Sequence, residues 1–328
     1  MVFLVVRSRE TIMNLLVTGG WYEAPQHLDE IRKMGYDVYF MADETDSMPC
    51  DPSIIDGVVC CNVFRWHPVE QFINLKFIQT ESVGYDRVPV EYCKAHKITA
   101  HNAGISYAEP MSEYILAHIL EWYQDIRQEH ENRAARTFIR NHDKLELAGR
   151  TVCILGTGNI ARYTARKLAA FDCHVIGVTH TIREIEYFNE VVDYAGLNDA
   201  LAAADIVIMA APPTGRPVLG ADEFNIMKES AVLVNVSRGT ELDQTALVSA
   251  LSAHSIAAAI LDVMEPEPLD SDNELWTLDN AIITPHSSYI GDGNAERLWQ
   301  TIRTTLLQQR VRPKLQTCNT RTDPTRKI

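Results

Sequence analysis

The sequence predicts an α/β protein of two domains, each built around a parallel sheet, with the second domain inserted into the first. Short apolar runs alternate with helical patterns along the 328 residues, which is typical of strands joined by crossover helices. The alternation also restarts in mid-chain. We therefore place one domain at 1–103 with 287–328 and the other at 104–286.

The first hundred residues contain alternating strand-like and helix-like segments. We predict strands at 2–6, 36–40, 56–61, 77–80 and 98–101. We predict helices at 25–34, 68–74 and 89–96. A longer helical pattern begins after Tyr107 and runs to about residue 130, with apolar side chains at helical spacing.

The second domain begins with a strand at 151–155 and a helix at 159–170. Further strands are predicted at 173–178, 206–211, 231–236, 256–261 and 281–284. A last helix at about 292–309 would return to the first domain.

Composition restricts the class of protein. Apolar residues make up 46% and charged residues 23% of the chain, as in ordinary globular proteins. The formal net charge of −14 disfavours nucleic acids and anionic membrane surfaces as partners, and no apolar run approaches transmembrane length. Scattered cysteines without a C-x-x-C pair indicate free thiols, so we expect a cytoplasmic protein.

A glycine turn follows the strand at 151–155. The segment Gly156-Thr-Gly158-Asn-Ile-Ala161 has the strand-to-helix context that a Rossmann-like dinucleotide site requires. Gly156 would permit the tight turn, Gly158 would let the backbone approach a pyrophosphate, and Ala161 would keep the helix close to the sheet. The helix N-terminus would face the phosphates. A turn that binds nothing is the alternative, and the context favours binding.

The end of the next strand bears on the choice between NAD and NADP. An acidic residue there would bind the ribose 2′-hydroxyl and repel a 2′-phosphate. The chain has Thr179-His180-Thr181 with Arg183 close by, and the first carboxylate is Glu184. We therefore expect NAD or NADP, with a preference for NADP. Use of NAD with fewer contacts is the alternative.

Three further phrases carry groups suited to hydride and proton transfer. Arg238 lies in Leu-Val-Asn-Val-Ser-Arg-Gly, Glu267 in Glu-Pro-Glu-Pro-Leu, and His286 in Ile-Thr-Pro-His. A cation can hold a substrate carboxylate, an imidazole can move a proton, and a carboxylate can tune the imidazole. Each residue alone would be an ordinary surface group, and Glu265 is a rival carboxylate. Together, behind a glycine turn, they indicate reversible hydride transfer to a 2-keto acid.

The phrases and their spacing resemble the D-isomer-specific 2-hydroxyacid dehydrogenase family over about residues 75–300. The matching segments are 82–88, 147–151, the glycine turn, 235–239, 261–263, 267–269 and 284–286. The resemblance implies two Rossmann-like or flavodoxin-like domains, with the nucleotide-binding domain inserted into the substrate-binding (catalytic) domain. It also implies an oxidoreductase that interconverts 2-keto acids and D-2-hydroxy acids with NAD or NADP.

The family resemblance implies a role for each site residue. Arg238 would bind the substrate carboxylate, His286 would act as general acid/base, and Glu267 would hold and tune the imidazole. Substrate contacts would come from Val83, Gly84, Phe64 and Tyr289. Cofactor contacts would come from Gly156, Thr157, Gly158, Asn159, Ile160, Thr179, His180, Ala211, Pro212, Val236, Asp262 and Ser288. The dispersed histidines show no metal-ligand spacing, so no metal is expected.

The substrate and the partners remain open from the sequence. Phe64, Trp66 and Tyr289 suggest a pocket for an apolar or aromatic side chain, although ordinary packing explains them equally well. Arg65 could instead bind a second anionic group. The resemblance implies a homodimer through residues 107–145. The alternative function is an NAD(P)-sensing, corepressor-like binding protein of the same fold.

Overall fold

The computed structural model describes residues 12–311. They form two compact units, one with the residues up to Gly104 and from Ala295 onward, the other with Ile105–Asn294. Each unit has one parallel sheet, which confirms the predicted fold class. The roles and limits assigned to the two domains stay a prediction. No helix within the described range has both the length and the apolar character needed to cross a bilayer.

The first unit is a parallel sheet of five strands covered by helices. Its strands are β1 Met13–Thr18, β2 Tyr36–Met41, β3 Gly57–Cys60, β4 Phe77–Thr80 and β5 Thr99–His101. Its first two helices are α1 Ala24–Lys33 and α2 Val90–His96. The strand order is β2-β1-β3-β4-β5, the flavodoxin-like order.

Most elements predicted for the first unit are confirmed, and two predictions need comment. The helix predicted at 68–74 is wrong, because only a short 3₁₀ turn forms at Val69–Gln71. The strand predicted at 2–6 lies outside the described residues, and β1 was not predicted from the sequence. Leu15, Leu16 and Val17 of β1 are fully buried, and a strand buried on both faces lacks the alternation that identifies strands.

The second unit is a parallel sheet of seven strands with helices on both faces. Its helices are α3 Ala108–Tyr123, α4 Ile126–Ala134, α5 Asn159–Ala169, α6 Leu197–Ala203, α7 Ala221–Ile226 and α8 Gln244–Ser252. Its strands are β6 Thr151–Leu155, β7 His174–Val178, β8 Glu190–Val192, β9 Ile206–Met209, β10 Val232–Asn235, β11 Ala258–Leu261 and β12 Ala281–Ile283.

The strands predicted from residue 151 onward are confirmed to within two residues at either end, and β8 was not predicted. The long helix predicted after Tyr107 is interrupted at Asp125, which has φ +49° and separates α3 from α4. The last helix, α9 Asn294–Val311, packs within the first unit from Ala295 onward. There the Tyr36 hydroxyl donates a hydrogen bond of 2.8 Å to the carbonyl of Leu306.

The order of strands in the second unit determines where a ligand can bind. The order is β12-β11-β10-β9-β6-β7-β8. The chain therefore adds β7 and β8 on one side of β6 and then adds β9 to β12 on the other side, so the strand order reverses between β6 and β9. Side chains of β6 alternate between two apolar layers, Val152 and Ile154 on one face and Cys153 and Leu155 on the other. Both faces are therefore filled, and ligands of such sheets bind at the carboxyl ends of the strands, at the reversal point.

A partly buried acid, Glu81, follows directly after β4. Burial, the largest effect, raises the pKa of Glu81 to about 7. A hydrogen bond with Cys61 opposes the rise, nearby Glu44 adds to it, and Arg87 opposes it. The folded protein therefore binds a proton at Glu81 more tightly than the unfolded chain does.

We predict that Glu81 makes the first unit less stable as the pH rises. The raised pKa of Glu81 stabilises the fold in full at pH values below its usual pKa of 4.5, and this contribution is lost as the pH rises through about 7. Glu81→Gln should therefore flatten the fall in the free energy of unfolding between pH 5 and pH 8, measured by urea denaturation. Glu70→Gln removes an exposed carboxylate and should keep the wild-type slope. An equal slope in Glu81→Gln would contradict the prediction.

Candidate active site

The glycine turn joins β6 to α5 at the point where the strand order reverses. Gly156 has φ +99°, a conformation that favours glycine, and a Cβ there would lie 2.9 Å from the carbonyl oxygen of Ala210. A Cβ on Gly158 would meet no atom of the described residues within 4 Å. The open N-terminus of α5, with Thr157, Asn159 and Ile160 at least partly exposed, thus fits the pyrophosphate of a dinucleotide.

The segment after β7 carries polar groups and a cation. The backbone N–H of Thr179 donates to the carbonyl of Val192 at 3.0 Å. The ring of His180 stacks on Tyr194, with the centroids 4.6 Å apart. His180 and Arg183 are exposed, so a hydroxyl, an imidazole and a guanidinium are accessible on this segment.

A buried carboxylate that was not predicted from the sequence holds the loop after β9. Glu241 is 2% exposed. Its carboxylate accepts hydrogen bonds from the Thr214 backbone N–H at 2.9 Å, the Thr214 hydroxyl at 3.0 Å and the Gly215 N–H at 3.3 Å. The predicted cofactor contacts Ala211 and Pro212 therefore lie on a tethered loop. No sequence signal pairs Glu241 with a loop so far upstream.

Arg238 is placed by a turn that begins at the end of β10. The side chain of buried Asn235 accepts from both the backbone N–H and the hydroxyl of Ser237, at 3.0 and 2.9 Å, and donates to the Arg238 carbonyl at 3.0 Å. Val236 is buried within this turn. The Arg238 guanidinium donates to the Ser237 carbonyl at 2.8 Å. The residue is partly exposed, so the guanidinium is accessible to an anion.

The next residue brings two loops together. A Cβ on Gly239 would overlap the carbonyl carbon and oxygen of Met264. The backbone after β10 therefore lies directly against the loop after β11, and this second loop carries Glu267.

Glu267 and His286 form the pair that the sequence predicted. Oε2 of Glu267 lies 2.8 Å from Nδ1 of His286, and Oε1 of Glu267 accepts from the Met264 N–H at 3.1 Å. The side chains are 35% and 41% exposed, so the pair is accessible to a small molecule. Because Glu267 engages Nδ1, Nε2 on the far side of the ring is the nitrogen that can exchange a proton.

Asp262, 1% exposed at the end of β11, organises the loop that carries His286. Its Oδ1 accepts from the Thr284 hydroxyl at 2.7 Å and the Ser287 N–H at 2.8 Å. Its Oδ2 accepts from the Ser288 N–H at 3.0 Å, and its carbonyl accepts from the His286 N–H at 2.9 Å. The predicted contact of Asp262 with a cofactor amide stays a prediction.

Ser288 offers a polar group to a ligand. Its side chain is buried, and its hydroxyl finds no hydrogen-bond partner among residues 12–311. A buried polar group normally has a partner. A polar group of a bound cofactor would satisfy it.

Three predicted substrate contacts lie in the first unit. The Val83 carbonyl accepts from the Asn102 side chain at 2.7 Å, and the Gly84 carbonyl accepts from the Ser82 hydroxyl at 3.0 Å. These bonds hold the loop by its carbonyls. Phe64 packs edge-on against Phe72, with the centroids 5.6 Å apart, which agrees with the packing interpretation of this ring.

Tyr289, the fourth predicted substrate contact, lies next to the candidate acid. Its ring stands nearly perpendicular to those of His286 and Tyr107, at centroid distances of 6.2 and 5.7 Å. The ring is 43% exposed, so it can border a bound molecule beside His286.

Comparison with known proteins decides the family. A family model described as D-isomer specific 2-hydroxyacid dehydrogenase, NAD binding domain, matches residues 116–288, and this range includes the glycine turn, Arg238, Glu267 and His286. The chain belongs to this family. Members of the family use NAD or NADP, and the resemblance stated from the sequence is confirmed.

Named relatives agree with this assignment. The chain is 32% identical over 222 residues to a D-3-phosphoglycerate dehydrogenase from Methanocaldococcus jannaschii, covering 66% of this chain and only 42% of that protein. A family protein from Aeromonas salmonicida aligns with a TM-score of 0.78 at 25% identity, covering 92% and 97% of the two chains. An NADPH-dependent glyoxylate/hydroxypyruvate reductase from Sinorhizobium meliloti aligns at 0.72 and 26%, covering 88% and 91%.

We predict opposite behaviour for alanine at two glycines of the site. Gly239→Ala should lower the free energy of unfolding by about 1–3 kcal/mol, because its Cβ would overlap the Met264 backbone. Gly158→Ala should leave stability within about 0.5 kcal/mol, because its Cβ points into open space. Urea denaturation of the two variants without cofactor measures the difference. If the two variants had the same free energy of unfolding, the loops after β10 and β11 would be able to move apart without a loss of stability.

Proposed function

We propose that the protein is an NAD(P)-dependent D-2-hydroxyacid dehydrogenase that also reduces the corresponding 2-keto acid. His286 acts as the general acid/base, Glu267 tunes it, and Arg238 binds the substrate carboxylate. The observation that carries this proposal is the 2.8 Å contact between Glu267 and His286. It lies at the same edge of the sheet as Arg238 and the glycine turn.

The geometry of the Glu267–His286 pair supports proton transfer. A carboxylate that accepts from Nδ1 fixes the ring orientation and stabilises the imidazolium. Nε2 then donates its proton to the carbonyl oxygen during reduction, and it takes the proton back during oxidation. In other carboxylate–histidine pairs that act as general acids and bases, the carboxylate likewise orients the ring and the imidazole transfers the proton.

Arg238 supports recognition of an anionic substrate. Its planar guanidinium can form two parallel hydrogen bonds with a carboxylate. The chain carries a net charge of −14, so a 2-keto acid needs a local cation to be attracted. Tyr289 would border the substrate next to His286. The substrate contacts predicted for Val83 and Gly84 stay a prediction.

The cofactor site combines the glycine turn with two other groups of residues. Gly156 and Gly158 would admit the pyrophosphate, and Asp262 and Ser288 would meet the nicotinamide end. When bound, the nicotinamide supplies or accepts the hydride. Thr179, His180 and Arg183 would meet a 2′-phosphate, so NADP is the preferred cofactor in this proposal.

We also propose that the protein forms a homodimer through residues 107–145. The segment after α4 exposes two large apolar side chains, Phe138 at 96% and Ile139 at 68%. Exposed apolar groups of this size are typical of contact surfaces.

We predict that the purified protein oxidises NADPH or NADH in the presence of a 2-keto acid. A panel of glyoxylate, pyruvate, 2-ketoisocaproate, phenylpyruvate and hydroxypyruvate, followed at 340 nm, tests this. His286→Ala should lower kcat by about 10²–10⁴-fold, because it removes the general acid. His174→Ala removes an exposed histidine at the opposite end of the strands and should leave kcat unchanged. Tight cofactor binding without turnover of any keto acid would favour the cofactor-sensing alternative.

We predict that an acidic side chain after β7 reverses the cofactor preference. Thr179→Asp places a carboxylate where it can bind the ribose 2′-hydroxyl and repel the 2′-phosphate. The ratio of kcat/KM for NADPH to that for NADH should fall about tenfold or more. Thr179→Asn has the same size without the charge and should change the ratio much less. A wild-type protein that already prefers NADH would contradict the assignment of NADP.

A further inference from the structure

We propose that Tyr114 of α3 is a positioning residue for catalysis, which holds the His286 loop in place through Thr284 and Asp262. Tyr114 has no assigned role in the site described above. The inference rests on the proposed role of His286 as general acid/base.

A continuous chain of hydrogen bonds connects Tyr114 to the loop. The Tyr114 hydroxyl lies 2.7 Å from the Thr284 hydroxyl. The Thr284 hydroxyl lies 2.7 Å from Oδ1 of Asp262, and the same oxygen accepts from the Ser287 N–H at 2.8 Å. Residues on both sides of His286 are thus tied to one carboxylate, and Tyr114 provides the outer end of the chain.

The chemistry of the groups fixes the direction of these bonds. An ionised carboxylate only accepts, so Thr284 donates its single hydroxyl proton to Asp262. The Tyr114 hydroxyl must then donate to a lone pair of Thr284. Each bond in such a chain polarises the next, so loss of the first donor weakens the bond between Thr284 and Asp262.

The His286 backbone needs such support. His286 has φ +51°, a left-handed conformation that is unfavourable for a side chain with a Cβ. Such strain persists only where the surroundings hold it. The His286 N–H bonds to the Asp262 carbonyl, while its side chain is 41% exposed. The hydrogen bonds of the loop to Asp262 therefore help to hold this backbone conformation.

Tyr114 itself packs against the apolar core of the second unit. Ile115 and Ile119 on the same helix are fully buried. The ring of His118 stands edge-on to that of Tyr114, with the centroids 4.4 Å apart, and His118 pairs with Glu121 at 2.6 Å. Burial raises the pKa of the Tyr114 hydroxyl, so it remains a donor over the working range of pH.

The first experiment compares Tyr114→Phe with Tyr123→Phe. Tyr123 lies on the same helix and is 2% exposed, so its variant removes the hydroxyl of a buried tyrosine but leaves the chain of hydrogen bonds intact. With NADPH and the best keto acid, Tyr114→Phe should lower kcat about tenfold, because a small misplacement of the general acid slows the reaction. KM and the Kd of NADPH should stay within about twofold. Tyr123→Phe should match the wild type in kcat.

Variants at Thr284 distinguish positioning from a general structural effect. Thr284→Ser keeps the hydroxyl and should retain most of kcat. Thr284→Val keeps the shape without the hydroxyl and should lower kcat as much as Tyr114→Phe does. The double variant Tyr114→Phe/Thr284→Val should be no worse than Thr284→Val alone, because both remove the same chain.

A measurement without turnover separates this proposal from the proposed function. Nitrogen-15 labelling of histidine reports by NMR the tautomer of His286 and the exchange of its Nδ1 proton in the cofactor-free protein. Tyr114→Phe should accelerate that exchange, whereas Tyr123→Phe should not. If the wild type shows no turnover but the exchange differs, the proposed function fails, whereas the contact by which Tyr114 holds the His286 loop is supported. If exchange and kcat in Tyr114→Phe equal those of the wild type, the positioning role is overturned.

Discussion

The geometry of the candidate site depends on the hydrogen bonds that the buried carboxylate of Asp262 accepts. Asp262 is 1% exposed, and a buried charge is tolerated only when hydrogen bonds replace its water. The bonds come from Thr284, Ser287 and Ser288. Asp262 follows β11, and the three donors follow β12. The charge therefore fixes the loop that carries His286 relative to the neighbouring strand.

The parallel sheet explains why the remaining site residues converge. Arg238 follows β10 and Glu267 follows β11, while the glycine turn follows β6. In a parallel sheet the carboxyl ends of all strands lie at one edge, so residues far apart in sequence become neighbours. Gly239 allows the loops after β10 and β11 to touch. The close approach of Arg238 to the loop that carries Glu267 thus depends on the absence of a side chain at Gly239.

The loops of the site are held by several hydrogen bonds, whereas the backbone at His286 is strained. Buried Asn235, Glu241 and Asp262 each hold one loop with several hydrogen bonds. His286, in contrast, has a positive φ and a partly exposed ring. The general acid proposed at His286 must reach its substrate, so its ring cannot be fully buried. Its orientation then has to come from polar contacts behind it, and strain of this kind collects at functional sites.

The sequence by itself determined the fold class, six of the seven strands of the second unit and the residues proposed for catalysis, because apolar runs, the glycine turn and the spacing of Arg238, Glu267 and His286 are local patterns. Only the tertiary structure decided the rest. It showed β1, whose continuous burial hides its alternation, and it replaced the helix predicted at 68–74 by a short turn. It also paired Glu241 with Thr214, and Tyr114 with Thr284 across 170 residues. Such contacts leave no periodic signal, since they arise only when distant strand ends and helices come together.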